Sequence, residues 1–284
     1  MLNRIKLVGL PLLALAVCAV LLLPAAPGVH AQMQRATIAC DGSTTVGPIA
    51  KAFAEYYMDR NPDVNVTVSE TGSGDGARAL ISGSCDIADM SRFMKEKEFT
   101  AAVENGVYPV AHAVAMDGIA IVVHPSNPID GLTVEQVRAV YQGTITNWSE
   151  LGGPNRPIVK ISRDTSSGTY ETFYKLVMQK EDIVGAEYVQ SNGAARARVS
   201  NTPAAIGYVG LGFAEGVKAL RINGVEPTPI TVATGTYPVS RPLFMVTDGY
   251  PKLGSHVHRF ITLYLTRDGQ SIIEDIGFVP VTRY

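Results

Sequence analysis

An α/β fold built on mainly parallel sheets is predicted by three features of the sequence. Short apolar or alternating runs, with the period of a strand, are followed repeatedly by apolar spacings of three and four, the period of a helix. Alternation of this kind builds parallel sheets covered by helices. Several of the strands also run into a loop of serine, threonine and glycine just before the next helix starts. In a parallel sheet such loops lie at the carboxyl ends of strands, where ligands bind. With 284 residues, the chain is long enough for two domains or one large one.

The chain opens with Arg4 and Lys6, an apolar run over residues 7–23, and then small residues ending Val29-His30-Ala31. Residues 1–31 read as a secretory signal peptide cleaved before Gln32, which places the mature protein in the periplasm or outside the cell. An uncleaved anchor is the alternative, and Pro11 together with the Pro/Ala/Gly stretch after the run argues against it. Cys18 lies inside the apolar run and is read as part of the signal.

Residues 36–40 form a short buried-type strand that meets the loop D-G-S-T-T-V-G at 41–47. Pro48 suits a first helical position. Ile49, Ala52, Phe53, Tyr56 and Tyr57 give the buried stripe of a helix that ends before Asn61-Pro62. Residues 64–69 alternate as a strand, followed by the loop T-G-S-G-D-G at 71–76 and a helix through Ala77, Leu80 and Ile81. The G-S-G-D-G spacing is wrong for a dinucleotide fingerprint. Residues 85–88 read as a strand leading into Asp89-Met90-Ser91-Arg92, with an amphipathic helix to about Asn105. Residues 110–116 and 118–123 read as two strands. Thr133 and Gln136 make a capping box for a short helix. Trp148 is expected to anchor a loop rather than stack on a ligand.

The most informative stretch is 160–178, K-I-S-R-D-T-S-S-G-T-Y-E-T-F-Y-K-L-V-M. A strand over 157–162 ends in the polar run 164–168, and Tyr170, Phe173, Tyr174 and Val177 then fall on one helical face. A helix start offers unpaired N–H groups and partial positive charge. Arg163 adds a planar fork of donors that suits a tetrahedral oxyanion. The unit is an anion site or an ordinary N-cap on Ser167 or Thr169, and this stretch alone does not decide between them. Further on, strands are expected at 188–192 and 205–209 around a helix at 194–199, then a strand at 242–247. Two helices broken near Gly269 and a last extended piece at 278–281 complete the chain.

The formal net charge is −2. Removing residues 1–31, which hold two basic and no acidic residues, leaves −4. A mildly acidic exported chain is a poor candidate for nucleic acid, so an anion would have to be held by local donors. Cys40 and Cys85 are expected as buried free thiols, because parallel neighbouring strands would place them at opposite ends of a sheet. No Cys/His spacing resembles a zinc site. The five histidines form no cluster, and His256 and His258 read as surface residues. No cofactor and no metal are expected.

These loops, taken together, resemble the periplasmic phosphate-binding proteins of high-affinity phosphate ABC importers, of the type II periplasmic-binding-protein superfamily. The motifs are G-S-T-T-V-x-P at 42–48, T-G-S-G-D-G at 71–76, D-I-A-D-M-S-R at 86–92, R-D-T-S-S-G-T at 163–169 and A-I-G-Y-V-G at 205–210. They cover almost all of the mature chain. The resemblance implies two α/β lobes joined by two crossing strands near 118–123 and 242–247. One lobe would hold residues 32–118 plus 245–284, the other residues 119–244. It further implies a phosphate site from Ser43, Thr44, Thr45, Ser73, Ser91, Arg92, Arg163, Ser167, Gly168 and Thr169. A monomer is implied, with inorganic phosphate and a membrane permease as partners and no nucleic acid.

Several members of that family place an aspartate where this chain has Ser91. An aspartate accepts the proton of HPO4²⁻ and rejects fully ionised sulfate, so Asp75, Asp89 and Asp164 are the candidate substitutes, with orienting Arg163 as the other role for Asp164. Arg92 is either a ligand contact or a helix-surface partner of Glu96. Another oxyanion (sulfate, molybdate or a phosphonate) is the second reading of the scaffold. A sensor without transport is not separable from the first reading at this level. A secreted phosphatase is a further alternative, against which stands the lack of a nucleophile–base order or a metal cluster in the sequence.

Overall fold

The computed structural model describes residues 36–282, so the expected signal peptide lies outside the described residues. No helix among them is long and apolar enough to cross a membrane. Three strand-to-helix units come first: β1 (Ala36–Gly42) with α1 (Gly47–Arg60), β2 (Val64–Ser69) with α2 (Ser73–Ile81), and β3 (Ile87–Met90) with α3 (Glu96–Glu104). Pro48 lies in the first turn of α1, where its missing N–H breaks no bond. β4 (Pro109–Val123) follows, then β5 (Gly131–Leu132), α4 (Val134–Gln142), β6 (Val159–Arg163), α5 (Gly168–Leu176), β7 (Glu187–Val189), α6 (Asn192–Ser200) and β8 (Ala205–Gly210). β9 (Lys218–Ala219), β10 (Arg221–Ile222), α7 (Pro229–Ala233), β11 (Ser240–Asp248), α8 (His256–Ile261), α9 (Arg267–Asp275) and β12 (Val279–Pro280) complete the order.

The main sheet runs β2-β1-β3-β11-β4-β8-β6-β7. The outer strands are parallel within each set of three, β2-β1-β3 on one side and β8-β6-β7 on the other. The two middle strands are not: β11 is antiparallel to β3 and to β4, and β4 is antiparallel to β8. The first half of β4 pairs with β11 and its second half with β8, so one strand serves both halves. This is the two-lobed periplasmic-binding-protein architecture, parallel within each flank and antiparallel where the flanks join.

Each flank has its own packed core. Ile38, Phe53, Tyr57 and Phe260 centre one cluster, and Tyr141, Trp148, Phe173 and Tyr208 another. A fully buried side chain of this size contributes roughly 1.5–3 kcal/mol. Trp148 has no exposed surface and donates from Nε1 to the Ala204 carbonyl at 2.9 Å, which pins its loop as expected. Thr133 and Gln136 form the predicted capping box.

Several expectations are corrected. Residues 110–123 belong to one 15-residue strand, Pro109–Val123, not to two. Asp117 looked like a break, but it is a buried paired charge, and Gly118 beside it packs under Val232. Gly74 and Gly76 of the second loop lie inside the start of α2 rather than before it, and Gly72 is its N-cap. The strand read at 188–192 stops at Val189, and Asn192 begins α6. Gly269 sits within α9, not at the break: a Cβ there would lie 2.0 Å from the Leu263 carbonyl oxygen. Cys40 and Cys85 are both free and buried, but not at opposite ends of the sheet. Cys40 pairs with Ile87, two residues after Cys85. His256 and His258 are half-buried, and His256 Nδ1 lies 3.0 Å from the Tyr57 hydroxyl.

Candidate anion-binding site

The carboxyl ends of β1, β3, β6 and β7 and the helix starts of α1, α2, α5 and α6 bring the hydroxyl loops together. After β1, Ser43 accepts from the backbone N–H groups of Thr45 and Val46. This bend is held by Gly42, whose φ of 137° is open to glycine and whose missing Cβ would strike the Asp89 carbonyl. The bend sends Thr44 and Thr45 inward, both buried. After β6, Ser167 caps α5 by accepting from the N–H groups of Thr169 and Tyr170, each at 3.2 Å. The ordinary-cap reading of that serine is therefore correct, and its own O–H is still available to a ligand. Asp164 does not bond to Arg163. Its Oδ1 accepts from the Ser166 N–H and hydroxyl and from the Ser167 N–H, which folds the loop.

The hydroxyls then meet. Thr45 Oγ1 and Thr169 Oγ1 are 3.1 Å apart. Ser73 and Ser91 hydroxyls are 3.3 Å apart, and the Ser91 N–H donates to Ser73 Oγ. Gly168 lies against both serines: a Cβ there would be 2.4 Å from each hydroxyl oxygen. Arg163, the last residue of β6, is 1 % exposed. It donates from Nε to the Val189 carbonyl and from Nη2 to the Gln190 carbonyl and to Thr44 Oγ1. Its Nη1 is buried and has no hydrogen-bond partner, and among the described residues no carboxylate pairs with it. Burial pushes this guanidinium down to about 10, against the opposing pull of Asp164. A buried cation without a counter-ion is costly, and an anion beside Nη1 would relieve it.

Three residues of the site were not foreseen. Asn192 donates to Thr44 Oγ1 and Thr45 Oγ1 at 3.2 and 2.9 Å while its Oδ1 accepts from the Gly210 N–H. Arg241, on β11, donates to Asp117 Oδ2, to the Ser91 carbonyl and to Thr169 Oγ1. Asp117, on β4, accepts from Arg241 at 2.9 Å and from the Leu211 N–H at 3.0 Å. Burial pushes the Asp117 carboxyl up and the Arg241 guanidinium down, while their charges pull each the other way; with good geometry and further hydrogen bonds, the pair stands as ionised. The signal for Asn192 was its place at a fourth strand-to-helix junction, Q-S-N-G. Arg241 and Asp117 each fell one residue outside a predicted strand.

Three candidates make no hydrogen bond to this cluster. Arg92 bonds to none of the hydroxyls and makes a bidentate pair with Glu98, both bonds 2.8 Å. Its helix partner is thus Glu98, not Glu96. Asp89 has both carboxylate oxygens buried without partners, and burial, then Asp41 and Glu70, holds its acid well above the usual range. Asp75 pairs with Arg78. None of Asp75, Asp89 and Asp164 hydrogen-bonds to Ser91. Among the described residues no group of His, Cys, Asp and Glu is disposed to hold a metal.

Comparison with known proteins agrees with this arrangement. The family model described as a PBP superfamily domain matches residues 28–268. The chain is 32 % identical over 272 residues to Protein SphX of Synechococcus elongatus, covering 90 % of this chain and 80 % of that protein. It is 32 % identical over 249 residues to the phosphate-binding protein PstS of Bacillus subtilis, covering 87 % and 81 %. Among solved structures it is similar to a substrate-binding protein assigned to phosphate ABC transport from Clostridium perfringens, determined with bound phosphate. That likeness has a TM-score of 0.80 and 33 % identity, and it covers 87 % of this chain and all of the other. The chain therefore belongs to the PBP superfamily, in the group of proteins named phosphate-binding protein PstS.

Proposed function

We propose that this protein captures inorganic phosphate between its lobes and delivers it to the membrane permease of an ABC importer. One observation carries the reading: Arg163 is buried without a counter-ion, its Nη1 unpaired, among hydroxyl donors supplied by both flanks of the sheet. Thr44, Thr45, Ser73, Ser91, Arg163, Ser167, Gly168 and Thr169 form the cage, joined by Asn192 and Arg241, with Ser43 shaping the first loop. Lobe I comprises residues 32–118 plus 245–284 and lobe II residues 119–244, so each lobe provides part of the shell and the anion favours closure. The protein is exported, acts as a monomer, and binds without catalysis.

A second reading is favoured by one observation. Asp117, which reaches the cage through Arg241, has its oxygens engaged by Arg241 and Leu211, so the acceptors that the cage residues Thr44, Thr45, Ser73, Ser91 and Thr169 themselves offer a phosphate proton are hydroxyls. Sulfate or molybdate is then less strongly rejected. Calorimetric titration of refolded, anion-stripped protein with phosphate, sulfate and molybdate tests both. Tight phosphate binding with no sulfate heat is expected. Comparable sulfate binding would transfer the assignment to a general oxyanion receptor, and silence toward all three would refute the site.

A further inference from the structure

The anion cage is flanked by two cavities of opposite character. One, of about 470 Å³, is lined by Arg92, Lys95, Lys175, Lys180 and Arg241 with a single carboxylate, Glu171. The other, of about 670 Å³, carries Glu70, Asp75 and Asp164 and no cation. Each shares a wall residue with the cage. Arg241, a wall of the first, donates to Thr169 Oγ1, and Gln190, a wall of the second, holds Arg163 by its carbonyl.

Three cations of the basic cavity are committed: Arg92 to Glu98, Lys95 to Glu171 and Arg241 to Asp117. Lys175 and Lys180 are exposed and, among the described residues, belong to no ion pair. Apolar walls stand beside them, including Phe93, 67 % exposed, with its ring centroid 4.4 Å from that of Phe244. Low-dielectric walls with cations of one sign focus the local field. The whole chain, at −2, offers an anion no general attraction.

We propose that the basic cavity is an outer anion station, where a small oxyanion is first held and from which it passes to the cage past Arg241. This rests on the phosphate reading above and takes inorganic phosphate as its ligand. An exposed ammonium is a compact, strongly hydrated charge, suited to holding an anion that still carries water. The cage donors are buried, so an anion must shed that water to reach them. The cavity on the other side offers no cation, and its Glu70 and Asp75 are held by Lys51 and Arg78, so only the basic side attracts the ligand, which gives the approach a direction.

The test is stopped-flow association of inorganic phosphate with the full mature chain, carrying a dye on an introduced surface cysteine far from both cavities. The Lys175→Glu/Lys180→Glu variant is expected to lower the association rate constant on the order of tenfold at low salt. The effect should fade toward 1 M salt, where screening acts over about 3 Å, and the dissociation rate constant should change less than about twofold, since steering acts on encounter. Glu70→Gln/Asp75→Asn, in the acidic cavity, serves as the control for a general field. An unchanged association rate in the lysine variant overturns the station. So does a control that speeds association as much as the lysine reversal slows it. Should the double reversal not fold, Lys175→Gln alone carries the test with a smaller expected effect. A parent protein that binds no phosphate at all refutes the functional reading on which the station rests, an outcome distinct from normal binding with indifferent lysines.

Discussion

At the scale of the residue, Arg163 holds the most weight, because its guanidinium is buried and lacks a counter-ion. Arg163→Ala is expected to weaken phosphate binding by about 2–5 kcal/mol, the cost of truncating a desolvated charge-assisted partner. Arg163→Lys keeps the charge but loses the fork that also holds the Val189 and Gln190 carbonyls, so it should fall between the two. Calorimetry of both variants checks the order; an alanine variant that binds like the parent would misplace the site. Asp89 allows a prediction about pH. Its acid is raised above its ordinary 3.8 in the folded protein, so the folded state keeps a proton that the unfolded state releases. Stability is then lost as pH rises above about 4 toward the folded value. Asp89→Asn removes this term, so its advantage over the parent in urea unfolding should be small at pH 4 and grow toward pH 7. A constant difference across that range would contradict the assignment. That Thr44, Thr45, Arg163 and Thr169 lie at strand-to-helix junctions was legible at this scale: the first two stand in the loop after β1, and the others at the end of β6 and the start of α5. Arg92 was misread because its partner Glu98 lies six residues away across a turn, beyond any helical spacing rule.

At the scale of the element, strand-to-helix junctions position the chemistry, and period alone located most of them. What period did not resolve was where a polar residue belongs to a strand. Asp117 interrupts an apolar run and reads as a boundary, yet it continues β4 because Arg241 on the neighbouring strand satisfies its charge. That compensation is tertiary and leaves no local trace. The same holds for Asn192, which opens α6 and is defined by bonds to residues about 150 positions earlier. The start of α5 gives a sharp prediction. Gly168 touches both Ser73 and Ser91, and a methyl group there would sit 2.4 Å from each hydroxyl. Gly168→Ala should therefore hold α5 away from α2 and weaken phosphate binding at least about tenfold, the equivalent of 1.4 kcal/mol. Its stability without ligand should change little, because alanine is the better helix former. Parallel calorimetry and thermal unfolding separate the two effects.

At the scale of the whole molecule, the sheet order places β4 and β11 between two parallel flanks, and the Asp117–Arg241 pair sits on those two strands. Arg241 reaches the Ser91 carbonyl beyond β3 and the Thr169 hydroxyl on α5, so one side chain bonds to both flanks. Its charge is thus both a joint and, through Thr169, a neighbour of the cage. Removing it leaves Asp117 buried without its cation. Arg241→Ala is expected to cost about 3–5 kcal/mol of stability in the anion-free protein. Arg241→Met with Asp117→Leu removes both charges at similar bulk, and the same reasoning expects it to regain most of that loss. The regained fold should nonetheless bind phosphate less tightly, because Thr169 has lost its donor and the flanks have lost a shared contact. Bound phosphate stabilises the folded protein by an amount set by its concentration relative to Kd. The double variant should therefore show near-parental unfolding in the absence of phosphate and a smaller rise in midpoint when phosphate is added. If it instead rises with phosphate as the parent does, the pair is a structural strut between the lobes with no part in how they close on the anion.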